Sequence, residues 1–379
     1  MSLAIIDARE WQRVFDLRTG AGVEEINPLL KMVMDIQARR PYPGDLDDAG
    51  NRWVTDTALD LIAGYDPSFV YLTYARQFFV GRYSVLTERE WAGMVSSVFG
   101  EVNRFVARSG FTPVIVGTGG MIPFVDFIDV TRLDGLVLST HWSARYAGLH
   151  DGSRRDLQGL AALPEIERIV PRHEFRSFFA ECPGDASRMP EYLLVARPGY
   201  MFRTVGGAFR KVRRVPAPAY AIPLAAESGV ASSITDIRRL VVESLRERKI
   251  ALIVVEGLGM DDFPWPHQRC ENGRGWFYYE PGDAQYLTLT TGRHQVFEYP
   301  TGYKYFDEDA EKKEYPLSGY FTSVPADTIA SGLGVRSLAV GNRSMLMHMA
   351  PGADISIECF ARNLFNQGTM AVIHRMGTI

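Results

Sequence analysis

The chain has 379 residues, 46% of them hydrophobic and 23% charged, with a formal net charge of -4. That length suits one large core or a core with a smaller companion, since single cores stop growing near ~250–300 residues. The weak negative charge offers no electrostatic case for a nucleic-acid partner, and no run approaches the ~18 apolar residues a membrane span requires.

Three cysteines, Cys182, Cys270 and Cys359, are widely spaced and odd in number. This argues against a disulfide framework and for a reducing, cytoplasmic setting. Residues 1–30 carry Asp7, Arg9, Glu10, Arg13, Asp16 and Arg18, a charge density foreign to a signal peptide.

In chain order, residues 3–6 form a short β-type run, followed by a helical pattern around Trp11, Val14 and Phe15. Residues 41–51 read as a loop and 53–63 as a helix stopped by Asp66-Pro67. The stretch 68–73 (SFVYLT) is a buried-type strand, rich in β-branched and aromatic residues. Residues 87–109 are a helix: Thr87 and Glu90 have capping-box spacing, and apolar positions from Trp91 to Val106 repeat at three and four. Gly110 ends it, strand 112–116 (TPVIV) follows, and Gly117-Thr118-Gly119-Gly120 comes next. Residues 136–139 make another strand candidate.

In the second half, 235–248 reads as an amphipathic helix. Residues 250–255 (IALIVV) form an unbroken apolar strand of the kind covered on both faces in parallel sheets. Residues 263–320, aromatic and rich in Gly and Pro, read as an inserted lid or small subdomain between core segments 1–262 and 321–379. Residues 355–366 read as a helix and 369–374 as a last strand. These alternating elements predict an α/β fold: a three-layer α/β/α sandwich on a mostly parallel sheet.

Ligands of open α/β sheets sit beyond the carboxyl ends of the strands. The loops after residues 73, 116 and 255 are therefore the candidate site. Glu256 ends the most apolar strand, either as a functional carboxylate or as a cap on a following helix. Thr118 and its glycines either present N–H groups to an anion or make a tight turn. Asp327 and Thr328 fit N-cap positions of a helix as well as a site. Asp261, Asp262 and His267, with Glu256, form a local set able to hold one divalent ion such as zinc or manganese. The other histidines show no metal-type spacing. Trp276, Phe277, Tyr278, Tyr279 and Tyr286 either stack on a planar ligand or pack.

Several segments resemble the type I phosphodiesterase/nucleotide pyrophosphatase branch of the alkaline phosphatase superfamily. Residues 53–121, from a helix through SFVYLT and the long helix to TPVIVGTGGM, are similar to the branch's later half, which ends in a DHG motif. PEIERIVPRHEF and MPEYLLVARPGYMF resemble segments that follow that motif. IALIVVEGLGMDD resembles the opening metal-binding strand, YFTSVPADTIASGLG the nucleophile segment, and ADISIECFARNLFNQGTMAVIH the next unit. The early half thus follows the late half, as in a circular permutant.

The resemblance implies a phosphoric-ester hydrolase fold with altered chemistry. Glu256 stands at the first metal-ligand position, and Asp327 or Thr328 at the nucleophile. Phe78 and Arg82 replace the Asp and His of DxxGH, while Thr118 and Gly119 replace the Asp-His of DHG. It therefore implies loss of the two-metal centre and an anion-accepting pocket of Arg82, Thr118, Gly119, Glu256, Asp327 and Thr328. Its occupant would be a phosphorylated or anionic small molecule, or a protein partner. The alternative is a divergent hydrolase using Glu256, Asp261/Asp262 and Thr328.

Overall fold

A computed structural model describes residues 4–7, 14–16, 22–138, 145–179, 189–203, 211–227, 229–295, 327–343, 351–360 and 368–373. The chain opens with strands β1 (Ala4–Asp7) and β2 (Val14–Asp16), helices α1 (Pro28–Arg39) and α2 (Gly50–Tyr65), then β3 (Phe69–Tyr74). Helices α3 (Arg76–Tyr83) and α4 (Glu88–Ser109) lead to β4 (Thr112–Gly117). The middle holds β5 (Met121–Pro123), β6 (Phe127–Ile128), β7 (Leu136–Leu138), β8 (Tyr146–His150), α5 (Arg154–Ala161), β9 (Ile166–Pro171) and α6 (Arg172–Phe175). It continues with β10 (Tyr192–Ala196), β11 (Met201–Phe202), β12 (Arg214–Pro216) and β13 (Ala221–Ala226). Next come α7 (Asp236–Ser244), β14 (Ile250–Val255), β15 (Gln268–Glu271), β16 (Gly273–Arg274), β17 (Phe277–Tyr278) and α8 (Asp283–Thr291). Strands β18 (Ser337–Gly341), β19 (Ile355–Phe360) and β20 (Gly368–Ile373) end the series.

The main sheet has ten strands in the order β15-β13-β4-β14-β3-β18-β19-β20-β1-β2. Its centre, from β4 through β14, β3 and β18 to β19, is parallel throughout, and its two flanks are antiparallel. All six residues of β14 are fully buried, because both faces are covered. Ala251, Ile253 and Val255 pack toward α1, α2 and α4, whereas Ile250, Leu252 and Val254 join a cluster with α7, α8 and Tyr146, Val170 and Leu193. The α/β layering read from the sequence is therefore present, and 250–255, 68–73 and 112–116 adjoin as expected.

The first-turn reading of α4 also holds: the Thr87 hydroxyl accepts the Glu90 N–H while the Glu90 carboxylate accepts the Thr87 N–H. Gly110, at φ 73°, ends the helix in the left-handed region.

Three local readings are corrected. Val14–Asp16 is a strand in a hairpin with β1, not part of a helix; Trp11 lies outside the described residues. Residues 355–360 are β19, not helix: Ile355, Ile357 and Cys359 face one core while Ser356 and Glu358 alternate with them, a period of two. Residues 361–366 lie outside the described residues. Asp327 and Thr328 open a series of turns rather than a helix. Helix α1 is an element for which the sequence reading made no provision.

Strands β7, β8, β9 and β10 build a second, four-stranded antiparallel sheet in the order β7-β8-β10-β9, backed by α5. Within the expected lid, β15 is instead an edge strand of the main sheet, pairing with β13. Residues 296–320 lie outside the described residues. Among the described residues no helix is long and apolar enough to cross a membrane.

Candidate functional site at the strand carboxyl ends

The parallel centre aligns the carboxyl ends of four adjacent strands, and each delivers polar residues to the same end of the sheet. Past β14 comes Glu256, past β4 Thr118, past β18 Asn342 and Arg343, and past β3 the helix α3 with Gln77, Phe78 and Arg82. All of these are buried, Glu256 and Thr118 completely.

Glu256 caps no helix. Its Oε1 accepts the Tyr286 hydroxyl from α8, and its Oε2 is paired with Arg343 Nη1 at 2.5 Å. Arg343 also donates to the Pro281 carbonyl at 3.3 Å. Burial pushes the Glu256 carboxyl up to about 7, against the opposing pull of Arg343. Asp283, at the start of α8, is pushed up to about 6 by burial, with Arg343 again opposing. Two carboxyls of raised affinity for protons thus share one guanidinium.

Side-chain amides hold this constellation in place. Gln77 Nε2 donates to the carbonyls of Glu256 and Tyr74, each at 2.7 Å. Asn51 donates to Gln77 at 3.1 Å, and Asn342 donates to Asn51 at 2.9 Å. The Asn342 oxygen accepts the Ala75 N–H at 2.7 Å, fixing the start of α3. On the other flank, Thr118 Oγ1 accepts the Gly257 N–H at 3.0 Å, and the Thr118 carbonyl accepts from Gln285.

Two glycines are dictated by this approach. Gly257 has φ 75°, and a Cβ there would sit 3.3 Å from Phe78 Cα. Gly119 has φ 105° and donates its N–H to the Leu258 carbonyl, so the loops after β4 and β14 lie against each other.

Of the residues expected at the site, the structure brings Glu256, Thr118 and Gly119 together. Arg82 shares the Phe78 ring with Arg343: its Cζ lies 5.9 Å from the centre of that ring, and the Arg343 Cζ lies 5.3 Å from the same centre. Asp327 is engaged elsewhere, its carboxylate with Arg293 and its carbonyl with Arg238. The Thr328 hydroxyl bonds Ser331 at 3.0 Å.

Asp261, Asp262 and His267 do not gather around Glu256. Asp262 accepts the Trp91 indole N–H, His267 Nδ1 meets the Trp265 carbonyl, and Asp261 is exposed. Among the described residues no group of three or more His, Cys, Asp or Glu side chains could hold a metal ion. The aromatic run packs: Phe277 meets Tyr146, Phe179 and Tyr279 edge-on or tilted.

Sequence reasoning missed Arg343, Asp283, Gln77 and Asn342. A signal existed for two of them. Residues 337–341 (SLAVG) are a buried-type run ending in Asn342-Arg343, the same pattern that drew attention to Glu256. Comparisons of the chain with protein-family models, curated proteins and solved structures gave no match.

Proposed function

We propose that the chain is a permuted, catalytically degenerate relative of the alkaline phosphatase superfamily that binds a phosphorylated or otherwise anionic small molecule at the carboxyl ends of β3, β4, β14 and β18. The observation that carries the binding site is the convergence there of buried polar side chains from four neighbouring parallel strands. A core of this kind normally excludes such groups unless they are paired or in use. The permuted order is supported by one placement that it requires: β1 lies beside β20 in the same sheet. The degenerate reading rests on Phe78, Arg82, Thr118 and Gly119 standing where the resemblance expects metal-binding Asp and His side chains.

The test combines elemental analysis of the purified protein with thermal-shift titration by inorganic phosphate and phosphate monoesters. The expected result is saturable stabilisation by these anions with no stoichiometric metal and no turnover. A second reading, a divergent phosphoric-ester hydrolase, is favoured by one observation: Glu256 and Asp283, with carboxyls near 7 and 6, stand in one cluster with the Tyr286 hydroxyl. Hydrolysis of a generic phosphodiester with added zinc or manganese, abolished by Glu256→Gln, would establish that reading and overturn the first.

A further inference from the structure

We infer that Arg82 is the residue that receives the ligand's charge, and that the charged group is an oxyanion presenting two oxygens to one guanidinium, of the phosphate or carboxylate kind. The inference rests on the anion-binding reading above and assigns the receiving residue within it.

Three arginines among the described residues are buried: Arg82, Arg145 and Arg343. Two of them have a carboxylate partner, although the Arg145 Nε has no hydrogen-bond acceptor. Arg343 pairs with Glu256 and donates to the Pro281 carbonyl; Arg145 pairs with Glu167 and donates to the Ala196 carbonyl. Arg82 differs. It is 2% exposed, yet its Nε and Nη1 have no hydrogen-bond partner, and its Nη2 reaches only the Met201 sulfur at 3.8 Å. Among the described residues no carboxylate forms an ion pair with it.

A guanidinium does not lose its proton in a protein, so it cannot escape burial by becoming neutral, as a lysine does. The rings of Phe78 and Tyr83, with centres 5.9 and 6.0 Å from Cζ, offset part of the lost hydration. They supply no acceptor for the N–H groups. A buried donor set without acceptors is costly, and an oxyanion with two oxygens satisfies the fork geometry of a guanidinium.

The group is also held in position. Arg82 lies one turn beyond Phe78 in α3, and its carbonyl accepts the Arg213 N–H at 2.7 Å. The N-terminal end of the same helix is tied to Asn342, past β18, by the Ala75 N–H, and to the Glu256 carbonyl by Gln77. The Phe78 ring stands between the two guanidinium groups, its centre 5.9 Å from Arg82 Cζ and 5.3 Å from Arg343 Cζ.

The experiment measures thermal shift and calorimetric affinity for inorganic phosphate, phenyl phosphate and benzoate, with chloride at matched ionic strength as control. Wild type is compared with Arg82→Met and Arg82→Lys. Methionine keeps the apolar stem and removes the charge; lysine keeps the charge and removes the fork.

The expected result is a melting temperature of ligand-free Arg82→Met equal to or above wild type, with loss of anion-induced stabilisation. Affinity should fall about 10- to 100-fold for Arg82→Met and by less for Arg82→Lys. The preferred arm identifies free phosphate, a phosphate ester or a carboxylate as the source. Should Arg82→Met fail to fold, unchanged affinity in Arg82→Lys still overturns the fork. Wild-type binding retained in Arg82→Met overturns the assignment and leaves the anion-binding reading standing. Absence of any oxyanion effect on wild type overturns both.

Discussion

Burial takes the Glu256 carboxyl from the 4.5 of a solvated glutamate up to about 7, although Arg343 beside it pulls the other way. A carboxyl whose folded value is raised stabilises the fold fully below its unfolded value, and that contribution is lost as pH rises through the folded value. For Glu256 the window runs from 4.5 to about 7, and the change is on the order of 3 kcal/mol at one pH unit per 1.36 kcal/mol. Asp283 acts in the same sense between 3.8 and about 6. Glutamine imitates the protonated acid, so Glu256→Gln should match wild type near pH 4.5 and exceed it at pH 7.5. Urea denaturation across this range checks it; parallel curves for the two proteins would exclude Glu256 as the titrating group. Asp156 runs the opposite way: the N–H groups of Asp134, Ser153 and Gly135, with the Ser153 hydroxyl, hold it down at about 2. Its contribution is present above 3.8 and disappears only as pH falls toward 2.

Helix α4 and strand β14 show how individual elements are specified. In α4 the capping box satisfies end groups that the helix cannot satisfy itself, while Val98, Phe99, Val102 and Phe105 supply the buried stripe. Thr87→Ala should cost about 1 kcal/mol in chemical denaturation, with no change in the binding measured at Arg82. Strand β14 depends on packing from both faces. Leu252→Ala removes a fully buried side chain between two covered layers and should cost about 2–5 kcal/mol, depending on how far the cavity collapses. A loss below 1 kcal/mol would mean that this face is not packed as described. Edge strands have no such protection: β15 exposes Arg269 and Glu271, side chains that discourage pairing with another chain.

The whole molecule is held together by a buried centre and by a tie between the four-stranded sheet and the β16–β17 pair. The Tyr146 hydroxyl, from β8 of the smaller sheet, donates to the Tyr278 carbonyl at 3.0 Å and accepts the Tyr278 N–H at 3.2 Å. The adjacent Arg145 N–H meets the Glu280 carboxylate, and the Arg145 guanidinium stands 4.8 Å from the Tyr278 ring centre. Tyr146→Phe leaves both backbone groups of Tyr278 unpaired and should destabilise by about 1–3 kcal/mol. Native-state hydrogen exchange should then reveal faster opening confined to β8 and β17. Uniform acceleration over β3, β4 and β14 would show instead that the four-stranded sheet and the main sheet unfold as one unit.

Much of the centre was legible in the amino-acid order, because continuous apolar runs at 69–74, 112–117 and 250–255 have one stable home, a strand covered on both sides. Glu256 was legible for the same reason: a carboxylate directly after such a run must be buried or in use. Short segments were not. The three residues of β2 carry too little periodicity to separate strand from helix, whereas the alternation over 355–359 is a strand signal that the helical reading of 355–366 passed over. The site itself was decided by tertiary structure. Arg343, after β18, and Tyr286, on α8, reach Glu256 from segments far apart in the chain, and it is the parallel order β14-β3-β18 that brings the ends of β14 and β18 to one side of the sheet. Sequence establishes which residues will be buried; which buried charges find partners, and that Arg82 does not, is set by long-range geometry that no local pattern encodes.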